Sequence, residues 1–592
     1  MPPPRPGEDH ARSANIAIVR PRELRSNGFL GGRVSFARRV GNTRRKLSLE
    51  ALMHLDRRRV TRLLAWAPLA ACAIYLAVLG AFFKRLVVAW NLSSDANAPM
   101  VITDRLKSGL VHGGPTFAAQ PIYIVIDTVI RGLPAHRMLW QVLPTALAIA
   151  TAALIGWSVA QVATPWAGAL AGILSIALTP TVLATAMVQA VHGMTYFSAA
   201  LLAAFLVHTL RTTTVSWRLI VGAVVVAIVV GVGIASDVFL LFTGAIPLGV
   251  ATVVVLYLAA RRRDKIRSAI LVASVALGTG LTTLAARVAF RSAGLLTPAP
   301  PGPGGLADLA EMRGHIHLLG RGFIALTGGV VPPDRQTRVL ELAMLARAAL
   351  AMAALVFIGT VLFRQLRANF SPEPPSLART AAIVFWSSSA VVVAAAFVIS
   401  RVASDIGSAR YLIPCYFAVG ALASIGVDRT LRRRTIAALA VTVATVVAAA
   451  EIFLVAYGGF ELEPARQQLP DLITVLQTHH LSRGYANYWD SNVISWKTHG
   501  RIEVLPVFEG CRTGDKAILC PYYWEVSRNA YLPVAGPSFV VVGLNSPGQQ
   551  PSERIFGSPT SVLHVDGLRI YVFKYDVASR FAARPLPSSS TG

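Results

Sequence analysis

Four short stretches put ionisable or aromatic side chains where long apolar runs end. Asp95 lies in "NLSSDANAPM" (91–100), shortly after the first such run. His192 and Tyr196 lie in "AVHGMTYF", Ser236 and Asp237 in "ASDVFLLFTGAIP", and Asp405, Arg410 and Tyr411 in "SRVASDIGSARYLIP". A carboxylate in such a place either caps a helix or takes a proton from a hydroxyl within hydrogen-bond reach. Each of the others has a bland role too: turn chemistry for the Ser-Asp pair, a polar contact for His192, snorkelling for Arg410. Ionisable groups at a bilayer are costly and tend to be kept for function. Grouped on one membrane face, these residues outline a polar cleft beside lipid.

The elements that must position them are membrane helices. The chain of 592 residues is 54% hydrophobic and 14% charged, with a mean hydropathy of +0.56; soluble domains carry about 25% charged residues. Apolar runs of membrane-spanning length recur. Their spacing predicts about 11 transmembrane helices, near 63–83, 139–159, 166–187, 195–211, 217–235, 239–259, 268–288, 340–363, 380–400, 411–428 and 436–457. The net charge of +27 is concentrated in a basic, partly disordered cytosolic tail (1–62) and in loops such as "RRRDKIR" (261–267) and "RTLRRR" (429–434). That pattern sets orientation and attracts anionic headgroups; it is no nucleic-acid footprint. The N-terminus is then cytosolic, and the four stretches face outward.

The transmembrane module (63–458) carries outward loops at 84–138 and 289–339, the latter with the linker "TPAPPGPGG" (297–305). In the first loop, "ANAPMVITDRLKSGLV" reads as an amphipathic helix lying on the membrane surface. Met100, Ile102, Leu106 and Leu110 would form its apolar face, Asp104, Arg105 and Lys107 its polar one, with Pro99 in the first turn and Asp95 or Asn97 as cap. The tail (459–592) reads as a small extracytoplasmic α/β domain, with a helix near 469–480 and strands at "IEVLPV", "SFVVVGL" and "GLRIYVFKYD". Its aromatic runs "YANYW" and "CPYYW" suit a sugar-stacking surface or a packed core. Cys511 and Cys520 would pair as a disulfide in an oxidising compartment, while Cys72 and Cys415 lie in apolar runs. His315 and His317 stand two apart, which on a helix points them in different directions.

An outward acid after the first span, a large first loop and "RYLIP" opening a late span together resemble the GT-C superfamily of integral membrane glycosyltransferases, which includes protein mannosyltransferases and aminoarabinose transferases. The tail segment "SRGYANYWDSNVISWKTHGRIEVLPV" is similar to the extracytoplasmic end of bacterial members. The resemblance implies a polyprenyl-phosphate sugar donor, a cell-envelope glycan, lipid or protein as acceptor, and Asp95 as the catalytic general base. Arg410 would hold the lipid phosphate and Tyr411 would line the pocket. His192, Asp237 and Arg105 would complete the substrate-binding set if the fold brings them together. Many relatives carry paired acids in the first loop; here Ser94 and Ala96 flank Asp95. A divalent ion needs several convergent oxygens, so a bound metal is possible but not favoured. An excess of Arg over Lys (49 to 7), with abundant Ala, Gly and Pro, hints at a high-GC bacterium, and the resemblance then implies the outer side of its plasma membrane. The rival readings are a non-catalytic lipid-glycan transporter or flippase and an envelope assembly protein.

Overall fold

The computed structural model describes residues in stretches between 70 and 581, chiefly 72–83, 94–107, 120–176, 192–260, 266–296, 306–327, 376–428, 434–457 and 469–581, with short gaps in several. Seven described helices are long and apolar enough to cross a membrane: His136–Val162 (α4), Gly193–Arg211 (α6), Trp217–Ser236 (α7), Leu241–Ala260 (α8), Ile266–Ser292 (α9), Leu377–Ile399 (α11) and Gly407–Gly426 (α12). Shorter apolar helices are Cys72–Phe83 (α1), Pro121–Ile130 (α3) and Pro165–Ile176 (α5), and Arg434–Tyr457 (α13) has an apolar core of its own. This fits a polytopic helical membrane protein. The expected spans at 63–83 and 166–187 meet helices whose described apolar parts are shorter than a bilayer crossing needs, and the expected span 436–457 lies within the 24-residue α13, while the linker 297–305 and most of 340–363 fall outside the described residues.

Helix α6 is the most enclosed span and α9 the most open. On α9 the exposed residues Leu277, Leu281, Leu284 and Val288 recur at three- and four-residue spacing, so they form one continuous apolar stripe. Water would penalise such a stripe by about 25 cal/mol per Å²; hydrocarbon does not.

Without a hydrophobic drive between helices in lipid, small residues set the contacts. Helices α4 and α5 touch through Gly156, Gly168 and Gly172: a Cβ on Gly168 would lie 2.5 Å from the Gly156 carbonyl oxygen. Between α7 and α9, Thr282 Oγ1 donates to the Ala227 carbonyl at 2.8 Å. Helix α8 opens with a π-helical turn, Leu241–Ala245, and Ser389 Oγ of α11 donates to the Thr243 carbonyl there at 3.0 Å. That bond supplies a partner inside the bundle for a turn whose backbone bonding is irregular.

Two short strands, β1 (Thr116–Phe117) and β2 (Leu295–Leu296), pair in parallel, and the C-terminal region folds as a six-stranded sheet in the order β5-β4-β3-β6-β8-β7, with β3 (Arg483–Ala486), β4 (Glu503–Thr513), β5 (Lys516–Pro521), β6 (Ser538–Gly543), β7 (Ser561–Val565) and β8 (Leu568–Phe573). Central β3 is parallel to β4 and β6, and the outer pairs are antiparallel. The expected strands coincide with β4, β6 and β8, and the expected helix with Leu469–Thr478 (α14). Strand β3 and helix Tyr488–Lys497 (α15) were not anticipated. Cys520 is disulfide-bonded, while the side chain of Cys511 lies outside the described residues.

The Gly168 contact gives a direct check. Gly168→Val places two methyl groups against the α4 backbone and overpacks the pair, at a cost of about 1–3 kcal/mol. Its melting temperature in detergent should fall by several degrees, whereas Gly249→Val, where a Cβ meets nothing within 4 Å, should leave it unchanged.

Candidate functional site

One end of the bundle gathers residues from distant parts of the chain. His192 immediately precedes α6, and Asp237 follows α7, its amide bonded to the Gly233 carbonyl at 2.7 Å. Asp237 folds back on its own turn, accepting the Phe239 amide on Oδ1 at 3.0 Å, as Asp does in tight turns. Its other oxygen meets His192 Nδ1 at 2.8 Å and accepts the Thr195 hydroxyl. Burial opposes ionisation of Asp237. The His192 charge and the hydrogen bonds from His192, Thr195 and Phe239 outweigh it, holding the carboxyl below its ordinary range.

Around this pair stands an aromatic wall. The His192 ring centre is 5.2 Å from Phe239, 5.7 Å from Tyr411 and 6.1 Å from Tyr196. Tyr411 and Arg410 come from a 3-10 turn, Ile406–Leu412, that leads into the rest of α12. The Arg410 guanidinium lies 5.2 Å from the Tyr411 ring centre and 6.0 Å from that of Trp489 in the C-terminal domain. Cation–π contacts of this kind help to fix the plane of a guanidinium, and Arg410 Nη2 also donates to the Tyr411 hydroxyl at 3.3 Å. The Tyr196 hydroxyl reaches the Arg410 carbonyl at 3.5 Å. Four of the expected residues, His192, Asp237, Arg410 and Tyr411, thus come together. Asp405 lies outside the described residues.

The first loop supplies the side of this site. Helix α3 is tied to α7 by the Ile122 amide donating to Ser236 Oγ at 3.0 Å. It is tied to α6 by the Met194 amide donating to the Tyr123 hydroxyl at 3.0 Å. Against α3 packs the loop helix Ser94–Lys107 (α2), whose Met100 and Val101 join Tyr123, Trp140 and Trp496 in one apolar cluster. The Asp95 backbone stands in the first turn of α2; its side chain lies outside the described residues.

This arrangement corrects three expectations about α2. Helix α2 starts at Ser94, so Asp95 and Asn97 are inside it rather than ahead of it, and Pro99 sits beyond the first turn. Leu106 is exposed while Arg105 is buried with Met100 and Ile102, so the faces differ from the apolar spacing. The helix is clamped between α3 and α15, with no water-facing side at Arg105. Arg105 pairs with Glu503 (Nε to Oε1, 3.5 Å) and donates to the Val504 carbonyl at 3.3 Å, both on β4. Burial lowers its pKa, opposed by Glu503, and a guanidinium stays charged regardless. Arg105 is therefore a docking residue between loop and tail, not one aimed at the aromatic wall.

Glu503 also holds Arg483, which in turn binds Asp576 at 2.9 Å. The sequence reading missed Glu503, Thr195, Gln120 and Tyr123. Thr195 and Tyr123 stand beside flagged motifs, while Gln120, 3.4 Å from His192 Nδ1, left no signal. His315 and His317 both border one cleft, and His315 Nδ1 lies 2.9 Å from the Val398 carbonyl. Among the described residues no group of three or more His, Cys, Asp or Glu is placed to hold a metal.

No family model matches the chain, and no curated protein matches it. Solved structures of an oligosaccharyltransferase from Archaeoglobus fulgidus share part of its shape. The complex with Zn and sulfate is 12% identical, with a TM-score of 0.45, over 78% of this chain and 68% of that one. The apo form is 12% identical, with a TM-score of 0.42, over 80% and 70%. The AglB complex with an inhibitory peptide and a dolichol-phosphate is 13% identical, with a TM-score of 0.39, over 73% and 64%. At these scores the likeness establishes no family.

Two outcomes follow from the charge geometry. Removing Glu503 leaves the Arg105 and Arg483 guanidiniums facing each other, whereas removing Arg105 leaves Glu503 paired with Arg483. Glu503→Gln should therefore lower the melting temperature in detergent more than Arg105→Gln, by about 1–3 kcal/mol of extra destabilisation; a double-mutant cycle measures the coupling. For Asp237, a lowered folded pKa means stabilisation present above the unfolded value of about 4 and lost as pH falls through the lower folded value. Wild type should exceed Asp237→Asn in thermal stability at pH 7, with the gap closing below about pH 4.

Proposed function

We propose that the chain is a membrane glycosyltransferase of the GT-C type, moving a sugar from a polyprenyl-phosphate donor to a cell-envelope acceptor at the outer face of a bacterial plasma membrane. The observation that carries this reading is the convergence of Arg410, Tyr411, His192 and Asp237 at one end of the bundle, roofed by Trp489 of the C-terminal domain. A lipid-borne donor offers its anomeric carbon at headgroup depth, and these groups stand at the ends of spans.

In the proposed step the acceptor hydroxyl oxygen attacks the anomeric carbon while the bond from that carbon to the phosphate oxygen breaks. The electron pair leaves with polyprenyl phosphate, and the hydroxyl proton passes to Asp95. Arg410 holds the phosphate as charge develops on it, a task suited to a planar fork of donors. The Asp237 carboxylate fixes the His192 ring beside Tyr411, shaping the wall against which the sugar lies. Asp95, at the head of α2, is assigned the acceptor side; α2 itself is held between α3 and α15 and is tied to β4 through Arg105. No nucleotide is involved, so no phosphate loop is needed.

Membranes carrying wild type or Asp95→Asn, supplied with a radiolabelled polyprenyl-phosphate sugar, test the reading. Transfer by wild type and a loss of about 10²–10⁴-fold in the variant is expected, the usual weight of a general base. Equal transfer by both removes Asp95 from that role, and no transfer with any donor favours a transporter or assembly protein.

A further inference from the structure

A second polar cleft, apart from the aromatic wall, lies on helix Leu309–Leu326 (α10). It has a volume of about 430 Å³ and is lined by Glu311, His315, His317, Arg321 and Arg401, with Leu318 among its apolar floor. Arg401 Nε binds Glu311 Oε2 at 2.9 Å, so the one carboxylate is already matched by one of the two guanidiniums. The His315 Nδ1 lies 2.9 Å from the Val398 carbonyl. A carbonyl only accepts, so Nδ1 carries the proton and the ring is held by its inner edge. What remains facing the cleft is the Arg321 guanidinium, with the His317 ring and the outer edge of His315 beside it: a concavity whose charge is positive through Arg321.

The position of α10 says which anion fits. The Ala307 amide donates to the Ile399 carbonyl at 2.9 Å, and Leu306 bridges Ser400. The start of α10 is thereby fixed to the end of span α11. Farther along, Gly322 packs against Leu412 and Ala409 of the turn that bears Arg410. The helix therefore lies across the end of a membrane span. Its own exposed apolar residues are Leu309 (80% exposed), Ile316 (59%) and Ile324 (48%), spaced seven and eight apart and hence on one face. His317 and Arg321 flank that face. An apolar stripe beside a basic one is how a helix sits in the interface of an anionic membrane.

We propose that this cleft holds the phosphate of an anionic phospholipid headgroup, with the acyl chains running along Leu309, Ile316 and Ile324. The volume suits a phosphoglycerol headgroup, being within the range of small-ligand sites. The proposal holds whatever reaction the bundle end performs. Its site is set by α10 and Arg401, and its occupant is a structural lipid rather than a substrate.

The test uses the full chain, purified in a neutral detergent and titrated with short-chain phosphatidylglycerol, short-chain phosphatidylcholine or inorganic phosphate. Bound lipid is counted by native mass spectrometry. Wild type should retain phosphatidylglycerol at least about five-fold better than phosphatidylcholine, with the preference shrinking as salt rises. Arg321→Gln should reduce phosphatidylglycerol retention by about five-fold while leaving the melting temperature without lipid unchanged. His317→Gln should act in the same direction, and Arg313→Gln, outside the cleft lining, should not. Equal retention of the two lipids overturns the proposal, as does a preference that survives Arg321→Gln. Occupancy by inorganic phosphate at equal affinity would mean that the cleft takes a free anion, and the lipid assignment falls.

Discussion

The structure depends on a charge that has been taken out of water. Arg105 sits in a loop helix yet is buried, and its partner Glu503 stands some four hundred residues later on a strand of the C-terminal sheet. An unmatched buried guanidinium would be expensive, so loop and tail are each incomplete without the other. Trp496 adds apolar area beside the pair, packing with Met100, Val101, Tyr123 and Trp140. Seven residues earlier on the same tail helix, Trp489 reaches the Arg410 side chain. One docking event thus positions the helix that carries Asp95 and covers the turn that carries Arg410. Polar groups at the bundle end are costly to maintain; Asp237 is held there by His192, Thr195 and the Phe239 amide, and the rings of Phe239, Tyr196 and Tyr411 stand around it.

Much of this was written in the sequence in a form physics can read. Long apolar runs separated by basic loops locate the bundle, since lipid leaves the backbone few alternatives to helices. Polar residues at the ends of those runs gave His192, Asp237, Arg410 and Tyr411, and all four converge. Alternating apolar residues gave three strands of the tail sheet. What the sequence could not carry were relations across long separations. Nothing local distinguishes Arg105 from any solvated arginine on an amphipathic helix; its burial follows from Glu503. Likewise β3 is only four residues long and enclosed by neighbours on both sides, so it lacks the alternation that marks a strand with one wet face.

The loop helix α2 illustrates the same point from the other side. Its spacing reads as amphipathic with a charged outer face, because a helix on a membrane surface and a helix clamped between two domains share one apolar stripe. The second contact surface, toward the tail, joins the Arg105–Glu503 pair to the packing of Met100 and Val101 with Trp496. Only the partner reveals it.

The proposed transfer requires a lipid phosphate gripped at Arg410, beside the Asp237-anchored His192 and beneath Trp489, with Asp95 on the acceptor side. A structure of the full chain in lipid nanodiscs with a non-hydrolysable polyprenyl-phosphonate sugar tests it most directly. The phosphonate is expected within hydrogen-bond reach of the Arg410 guanidinium, the sugar against Tyr411 and Trp489, and the Asp95 carboxylate opposite the leaving oxygen across the anomeric carbon. A donor bound elsewhere on the bundle, or one whose anomeric carbon faces away from α2, would contradict it.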